Sequence, residues 1–171
     1  MNIFVAGIHG VGKTYLASRL PGNLGFLHTS ASKLIREERA LPEWNVDKTV
    51  SDIDANQLAL AAAVRRHNQS GMALLLDGHF VLLDSEGRFV PLEVSVFESL
   101  SLRKVILIEE DLEVVAKRVG DRDALRRGNQ WLADFISAER DHAAKICQSL
   151  ALPLHVLFSA SDTDFLDAVK A

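Results

Sequence analysis

The feature that most restricts the fold is a glycine-rich segment close to the N-terminus, Gly7-Ile8-His9-Gly10-Val11-Gly12-Lys13-Thr14. It follows an apolar stretch that predicts a strand over residues 2–6, and it precedes an amphipathic pattern that predicts a helix. Glycines let the backbone turn tightly and aim successive N–H groups at an oxyanion, and a helix N-terminus adds partial positive charge. The segment therefore predicts a phosphate-binding loop between a strand and a helix.

Two side chains of this loop have expected roles in nucleotide binding. Lys13 is expected to reach the β- and γ-phosphates of a nucleotide, and Thr14 to place its hydroxyl on Mg²⁺. The side chain of His9 has no predicted task, because a cradle of backbone amides does not need it. The alternative is a glycine-rich turn that carries a lysine without binding phosphate. The residues expected to contact ATP are Gly7, Gly10, Val11, Gly12, Lys13, Thr14 and Tyr15.

Composition limits the remaining possibilities. A chain of 171 residues with 48% hydrophobic content is long enough for one domain with a sizeable core, so residues 1–171 are predicted to form a single domain. A net charge of -4 gives no signal for nucleic acid or an anionic membrane, and any phosphate site must be built locally. The single cysteine, Cys147, is predicted to be a core residue. Without a leader or a membrane-spanning run, a cytoplasmic location is expected.

The order of apolar runs predicts an α/β fold. Such runs recur at residues 3–6, 25–28, 72–76, 105–108 and 154–158, with helical patterns between them. This alternation is typical of a five-stranded, mostly parallel sheet in a three-layer P-loop fold. Asp84-Ser85-Glu86-Gly87 predicts the turn of a small hairpin between residues 80–83 and 88–92. Predicted helices cover residues 11–20, 30–41, 51–68, 112–118, 130–149 and 161–169, and residues 43–49 are expected to form a mobile connector.

Ligand sites in parallel sheets lie at the carboxyl ends of the strands. Asp77 ends the third predicted strand, and we expect it to hold Mg²⁺ opposite Thr14. A capping role for Asp77 is the alternative. Glu109 and Glu110 end the fourth predicted strand and compete for the metal, whereas Asp111 is expected to cap the next helix.

Arginines are expected to neutralise the transferring phosphoryl group. Arg118, Arg122, Arg126 and Arg127 surround a glycine-bounded segment at about 119–128, which predicts a short lid that closes over bound phosphates. The alternative is a solvated charged helix in which Asp121 and Asp123 pair with these arginines. Arg36 and Arg88 either face an acceptor or lie on the surface. For His79, a hydrogen-bonded structural role is expected over titration near neutrality.

These motifs together resemble the nucleoside monophosphate kinases, and adenylate kinases of the short-lid, archaeal type in particular. Residues 28–36 are similar to the family's strand-to-helix segment that holds the monophosphate, although its usual Gly-Asp pair is Ala31-Ser32 here. Residues 53–58 resemble the segment that lines the acceptor nucleoside. Asp77-Gly78-His79-Phe80 resembles the family's Asp-Gly-Phe-Pro-Arg element without its Pro-Arg, and residues 118–122 look like the helix-to-lid junction.

The resemblance implies transfer of the γ-phosphoryl group of Mg·ATP to a nucleoside monophosphate, most simply AMP. It places the acceptor in a small helical insertion at about residues 30–70 and needs no general base, because the acceptor oxygen is already anionic. Two alternatives stay open: a kinase of a nucleoside or small hydroxyl metabolite, with Asp77 or Asp54 as base, and an ATP-binding regulatory subunit. The acceptor-binding residues implied are Ser30, Arg36, Asp54, Gln57, His79 and Arg88.

Overall fold

The structure is a computed structural model that describes residues 1–41, 52–119 and 124–171, with the backbone alone at 52, 53 and 124–127. Its main sheet has five strands in the order β2-β3-β1-β6-β7, and every pairing between them is parallel. The α/β architecture predicted from the apolar runs is therefore confirmed. The strands of the chain are β1 (Asn2–Ala6), β2 (Phe26–Ser30), β3 (Ala73–Asp77), β4 (Val81–Leu83), β5 (Phe89–Pro91), β6 (Leu102–Glu109) and β7 (Leu154–Phe158).

The central strand explains why the sequence folds this way. All five residues of β1 are buried, and β1 lies between β3 and β6, so an uninterrupted apolar run is what this position requires. The ring of Phe4, a residue of β1, packs edge-on against the rings of Phe80 and Phe97 at centroid distances of 5.2 and 5.5 Å. Cys147 is buried in the same core, as predicted.

Seven α-helices occur among the described residues, and most follow the predicted pattern. The first is shorter than expected, because Gly12 adopts a left-handed conformation and the helix begins at Lys13. The short helix α4 was not predicted, since its five residues are too few to show a helical period. The helices are α1 (Lys13–Ser18), α2 (Ala31–Arg39), α3 (Asp52–Gln69), α4 (Val94–Glu98), α5 (Leu112–Val119), α6 (Ala124–Ser149) and α7 (Asp162–Lys170).

Two local predictions concern turns. The hairpin of β4 and β5 is confirmed, and the Asp84 carboxylate accepts hydrogen bonds from the backbone N–H groups of Glu86 and Arg88 in its turn. The segment predicted as a lid at about 119–128 overlaps two helices, because Val119 ends α5 and α6 already begins at Ala124. Gly128, with a φ of 78°, interrupts the helical path of α6 and separates its first turn from the rest.

Other predictions fall outside the described residues or concern the whole chain. The expected connector at 43–49 and the middle of the expected lid lie outside the part of the chain that the structure describes. Within the described ranges, no helix combines the length and the apolar character needed to cross a membrane.

Candidate active site

The glycine-rich loop connects β1 to α1 and adopts the conformation its glycines were expected to permit. Gly7, Gly10 and Gly12 have φ values of 135°, 88° and 98°, which side chains with a Cβ rarely adopt. At Gly7 the backbone also passes so close to β6 that a Cβ would lie 2.3 Å from the carbonyl oxygen of Ile108. Because first-turn N–H groups have no partner inside a helix, those of α1 point out of its N-terminus beside the loop. The loop can therefore cradle an anion.

Lys13 begins α1 and its ammonium group lies within the loop. The Lys13 Nζ donates hydrogen bonds to the carbonyl oxygens of Gly7 at 2.5 Å and Ile8 at 3.1 Å, and it lies 3.7 Å from the Asp77 Oδ1. Burial lowers the pKa of Lys13, while the negative charges of Asp77 and Glu139 oppose that shift. The loop thus holds a cation at the position where the phosphates of a nucleotide would lie.

Thr14 and Asp77 form the pair expected to bind a divalent cation. The Thr14 hydroxyl donates to the Asp77 Oδ2 at 3.1 Å, so the end of β3 and the first turn of α1 present two oxygen donors side by side. The described residues contain no group of three or more His, Cys, Asp or Glu side chains that could hold a metal ion. This donor set fits Mg²⁺, which keeps several waters and takes further oxygens from phosphates.

Of the four arginines predicted to belong to the lid, Arg118, near the end of α5, is the one whose side chain the structure describes. Its guanidinium donates to the carbonyl oxygen of Gly10 at 3.0 Å and lies 3.4 Å from the Glu110 carboxylate. Glu110 in turn accepts a hydrogen bond from the Ser159 hydroxyl, which is the main reason its pKa is lowered. Arg118 therefore rests against the phosphate loop while about half of its side chain stays exposed. Arg122 and the side chains of Arg126 and Arg127 lie outside the described residues.

A cavity of about 690 Å³ opens beside the loop and extends between β3, α2 and α3. Its floor is apolar and includes the rings of Phe4 and Phe97. Polar groups converge at its rim, and the Gln57 Oε1 is buried there without a hydrogen-bond partner. Among the predicted site residues, those that line the cavity are Gly10, Gly12, Lys13, Thr14, Tyr15, Ser30, Gln57, Asp77 and His79.

Ser30 performs a structural task as well. Its hydroxyl accepts the backbone N–H of Lys33 and caps α2, and it also lies 3.2 Å from the Ser32 hydroxyl. The start of α2 therefore presents two hydroxyls to the cavity, at the position where the resemblance placed the acceptor.

Other predicted residues lie elsewhere. Arg88 pairs with Asp84 and Glu86 in the hairpin turn, at 2.6 and 3.1 Å. Arg36 and Asp54 are exposed on α2 and α3 and do not line the cavity. The structure therefore does not bring these three residues to the site. Val11 is buried beneath the loop, so only its backbone is available to a nucleotide.

The side chain of His79 is more buried than its predicted role in acceptor binding required. Its ring contacts that of His9 at a centroid distance of 4.6 Å, and its Nδ1 is buried without a hydrogen-bond partner. Burial, with the nearby positive charge of Lys13, lowers the pKa of His79 to about 2. The imidazole is therefore neutral at physiological pH. A main-chain hydrogen bond with Gly7 opposes this shift, which agrees with the expectation of a hydrogen-bonded His79.

Glu139 is the residue that sequence reasoning missed. It lies on α6 with 1% of its surface exposed, and its carboxylate accepts hydrogen bonds from the backbone N–H groups of Gly7, Phe80 and Val81. Its neighbour Arg140 instead binds Glu109 in a bidentate pair at 2.6 and 2.7 Å, so Glu109 is engaged away from the Thr14 and Asp77 pair. A glutamate flanked by Ala138 and Arg140 in an amphipathic helix gives no sequence signal of its burial.

Comparisons with known proteins agree with this fold. A family model described as an AAA domain matches residues 6–130. A search of curated protein sequences finds no match. Among solved structures, a sugar kinase from Janibacter sp. HTCC2649 in unliganded form is 15% identical, with a TM-score of 0.55 over 98% of this chain and 90% of that one.

Two further structures are equally similar. A putative kinase from Chloroflexus aurantiacus J-10-fl is 18% identical, with a TM-score of 0.54 over 99% of this chain and 93% of the other. A shikimate kinase from Acinetobacter baumannii, in complex with shikimate, is 16% identical, with a TM-score of 0.55 over 99% and 88%. At these identities the similarity confirms the predicted P-loop fold.

Proposed function

We propose, from the premise that this chain belongs to the AAA domain family, that it is an ATP-dependent phosphotransferase that requires Mg²⁺. The observation that carries the proposal is the convergence of Lys13, Thr14 and Asp77 at the mouth of the 690 Å³ cavity. A phosphate loop alone supports nucleotide binding. A phosphate loop beside a cavity large enough for a second small molecule supports transfer to that molecule.

The chain's own residues would divide the work as follows. Backbone N–H groups of the loop and the Lys13 ammonium would hold the β- and γ-phosphates, and Thr14 and Asp77 would hold the Mg²⁺. When bound, the metal neutralises the charge that develops on the transferring group. Arg118, already in contact with the loop, would add a planar donor on the exposed side.

For the acceptor we propose a nucleoside monophosphate, most simply AMP. The cavity floor of Phe4, Phe97 and aliphatic side chains suits a planar heterocycle, and the unpartnered Gln57 Oε1 can accept a hydrogen bond from an exocyclic amine. The hydroxyls of Ser30 and Ser32 line the same cavity and can donate to a phosphate. No general base is required for such an acceptor, because its phosphate oxygen is already anionic.

A second candidate acceptor is a small hydroxyl-bearing metabolite. Among the described residues, Lys13 is the single Lys or Arg that lines the cavity, which favours an acceptor with little negative charge. The similar structures also include proteins described as a sugar kinase and a shikimate kinase. This reaction needs a group to take the hydroxyl proton, and Asp77 is better placed than Asp54, which does not line the cavity.

One assay separates these possibilities. ATP consumption by the purified full chain is measured with Mg²⁺ against a panel of nucleoside monophosphates and a panel of nucleosides, sugars and hydroxy acids. Turnover confined to the monophosphates supports the first proposal, and turnover confined to the hydroxyl compounds supports the second. A folded protein that binds ATP and phosphorylates neither panel overturns both and leaves a nucleotide-binding regulatory subunit.

A further inference from the structure

The Glu139 carboxylate occupies a position that ordinary packing does not explain. The side chain is almost fully buried, and the transfer of an ionised carboxylate out of water is costly unless several donors satisfy it. Here the donors are backbone N–H groups: Gly7 at 3.2 Å, Phe80 at 2.9 Å and Val81 at 2.8 Å. The Phe80 N–H also lies 3.0 Å from the second carboxylate oxygen. Both oxygens are thus bound by main chain.

The three donors belong to the two segments that carry the site. Gly7 is the first residue of the phosphate loop, and its carbonyl oxygen accepts a hydrogen bond from the Lys13 Nζ. Phe80 and Val81 follow Asp77-Gly78-His79 and begin the hairpin. These segments leave the neighbouring strands β1 and β3, in which Val5 is the register partner of Asp77. One side chain on α6 therefore joins the loop that carries Lys13 to the loop that carries Asp77.

We infer that Glu139 is a positioning residue, which fixes the spacing between the phosphate loop and Asp77 and thereby the place of Lys13. The inference rests on the proposed function, because that spacing matters only if Lys13 and Asp77 bind the phosphates and the metal of one nucleotide. Glu139 itself does not line the cavity beside the loop. Its effect passes through the main chain of Gly7 and Phe80.

The charge of Glu139 acts in the same direction as its hydrogen bonds. Burial lowers the pKa of Lys13, and the carboxylates of Glu139 and Asp77 counteract that effect. Two imidazole rings also face this cluster: that of His79, whose Nδ1 is 3.9 Å from the Glu139 Oε1, and that of His9, which lies tilted against His79. Burial raises the pKa of Glu139 itself, and the main-chain hydrogen bonds and the charge of Lys13 oppose that shift.

The test compares Glu139→Gln with wild type and with Ile146→Val. Ile146 is fully buried on the same helix but does not contact the site, so its variant controls for a modest loss of stability. The dissociation constant of Mg·ATP is measured by calorimetry at matched folded fraction. We expect it to rise at least tenfold in Glu139→Gln and to stay within twofold of wild type in Ile146→Val.

A second readout distinguishes positioning from mere structural support. In Glu139→Gln the affinity for ATP without Mg²⁺ is expected to fall less than the affinity for Mg·ATP, because only Mg·ATP needs Lys13 and Asp77 at a fixed spacing. If Glu139→Gln does not fold, Glu139→Asp keeps the charge and withdraws the carboxylate by one methylene, and its dissociation constant is expected to rise at least threefold. The inference is overturned if a folded Glu139 variant binds Mg·ATP within twofold of wild type, or if it loses affinity for ATP equally with and without Mg²⁺.

This test is independent of turnover. A wild-type chain that binds Mg·ATP but transfers nothing overturns the proposed kinase and leaves the binding comparison valid. A wild-type chain with full transfer activity and an indifferent Glu139→Gln overturns the inference and leaves the kinase proposal standing.

Discussion

The two sides of the cavity differ in how their polar groups are satisfied. We call the side formed by the phosphate loop the donor side and the side formed by α2 and α3 the acceptor side. On the donor side the groups expected to bind nucleotide are held by short, mutual contacts: Lys13 on two carbonyl oxygens, Thr14 on Asp77, and Arg118 on the carbonyl of Gly10. On the acceptor side the floor is apolar and a buried oxygen of Gln57 has no partner. Because an unsatisfied buried acceptor is costly, the proposed acceptor would stabilise this side by supplying the missing donor.

This difference explains why nucleotide binding can be predicted from the sequence and the identity of the acceptor cannot. A phosphate loop recognises a group common to all nucleotides through the main chain, so a short motif specifies it. An acceptor is recognised by a particular set of side chains from separate elements, and no short motif specifies that set. The predictions below test the two sides in turn.

The largest effect is expected at Lys13. Lys13→Ala should lower the rate of phosphoryl transfer on the order of 10³-fold, since it removes the cation that faces the β- and γ-phosphates. Steady-state kinetics and thermal unfolding of the same preparation measure it, with Lys145→Ala on the exposed side of α6 as control. Retention of more than a tenth of wild-type activity would count against the donor site.

Arg118 should matter less than Lys13, because it lies at the open edge of the loop. Arg118→Ala is expected to lower kcat on the order of 10²-fold with little change in the stability of the fold. Arg65→Ala, an exposed arginine on α3, provides the matched control. A loss of less than tenfold in single-turnover measurements would make Arg118 a surface residue that happens to touch Gly10.

His79 lies between the two sides and predicts a pH effect on stability. Its pKa is about 2 in the folded chain and near 6.5 when exposed, so below pH 6.5 the unfolded chain takes up a proton that the folded chain does not. Stability present above pH 6.5 is therefore lost as the pH falls. Between pH 6.5 and 5.0 the loss should be about 2 kcal/mol greater in wild type than in His79→Gln.

Urea unfolding of both proteins at several pH values measures this difference, and comparison of the two cancels the contributions of all shared titratable groups. Equal losses of the free energy of unfolding in wild type and His79→Gln would mean that His79 takes up protons freely in the folded chain.

The smallest effect is expected on the acceptor side. Gln57→Leu should raise the KM of the acceptor about tenfold, which corresponds to one hydrogen bond of about 1.4 kcal/mol, while the KM of ATP stays unchanged. Gln69→Leu makes the same substitution at an exposed position of the same helix and should change neither constant. If both KM values rise together in Gln57→Leu, the Gln57 amide does not read the acceptor.

The sequence predicted the donor side because each of its parts is local or periodic. The strands β1 and β3 are continuous apolar runs, and their ends place Thr14 and Asp77 together by the general rule for parallel sheets. The turn residues Asp84 to Gly87 likewise predicted the hairpin from local chemistry alone.

What the sequence could not predict depends on contacts between distant segments. Glu139 is 132 residues from Gly7, and nothing in its local pattern distinguishes it from an exposed helical glutamate. In the hairpin turn the Arg88 guanidinium pairs with Asp84 and Glu86. The charge of Arg88 did not reveal these pairings, so the sequence did not indicate that Arg88 lies away from the cavity. The sequence placed the start of this helix after Gly128. Gly128 instead lies inside α6, where it interrupts the helical path, so the start at Ala124 was missed.

The central claim is that the loop of residues 7–14 binds the triphosphate of a nucleotide together with Mg²⁺. Isothermal titration calorimetry of the full chain with ATP, with and without Mg²⁺ and in parallel with Lys13→Ala, tests it most directly. We expect ATP to give saturable, Mg²⁺-dependent heat of binding with wild type and much weaker binding with Lys13→Ala. The absence of Mg²⁺-dependent heat with every purine and pyrimidine triphosphate would contradict it.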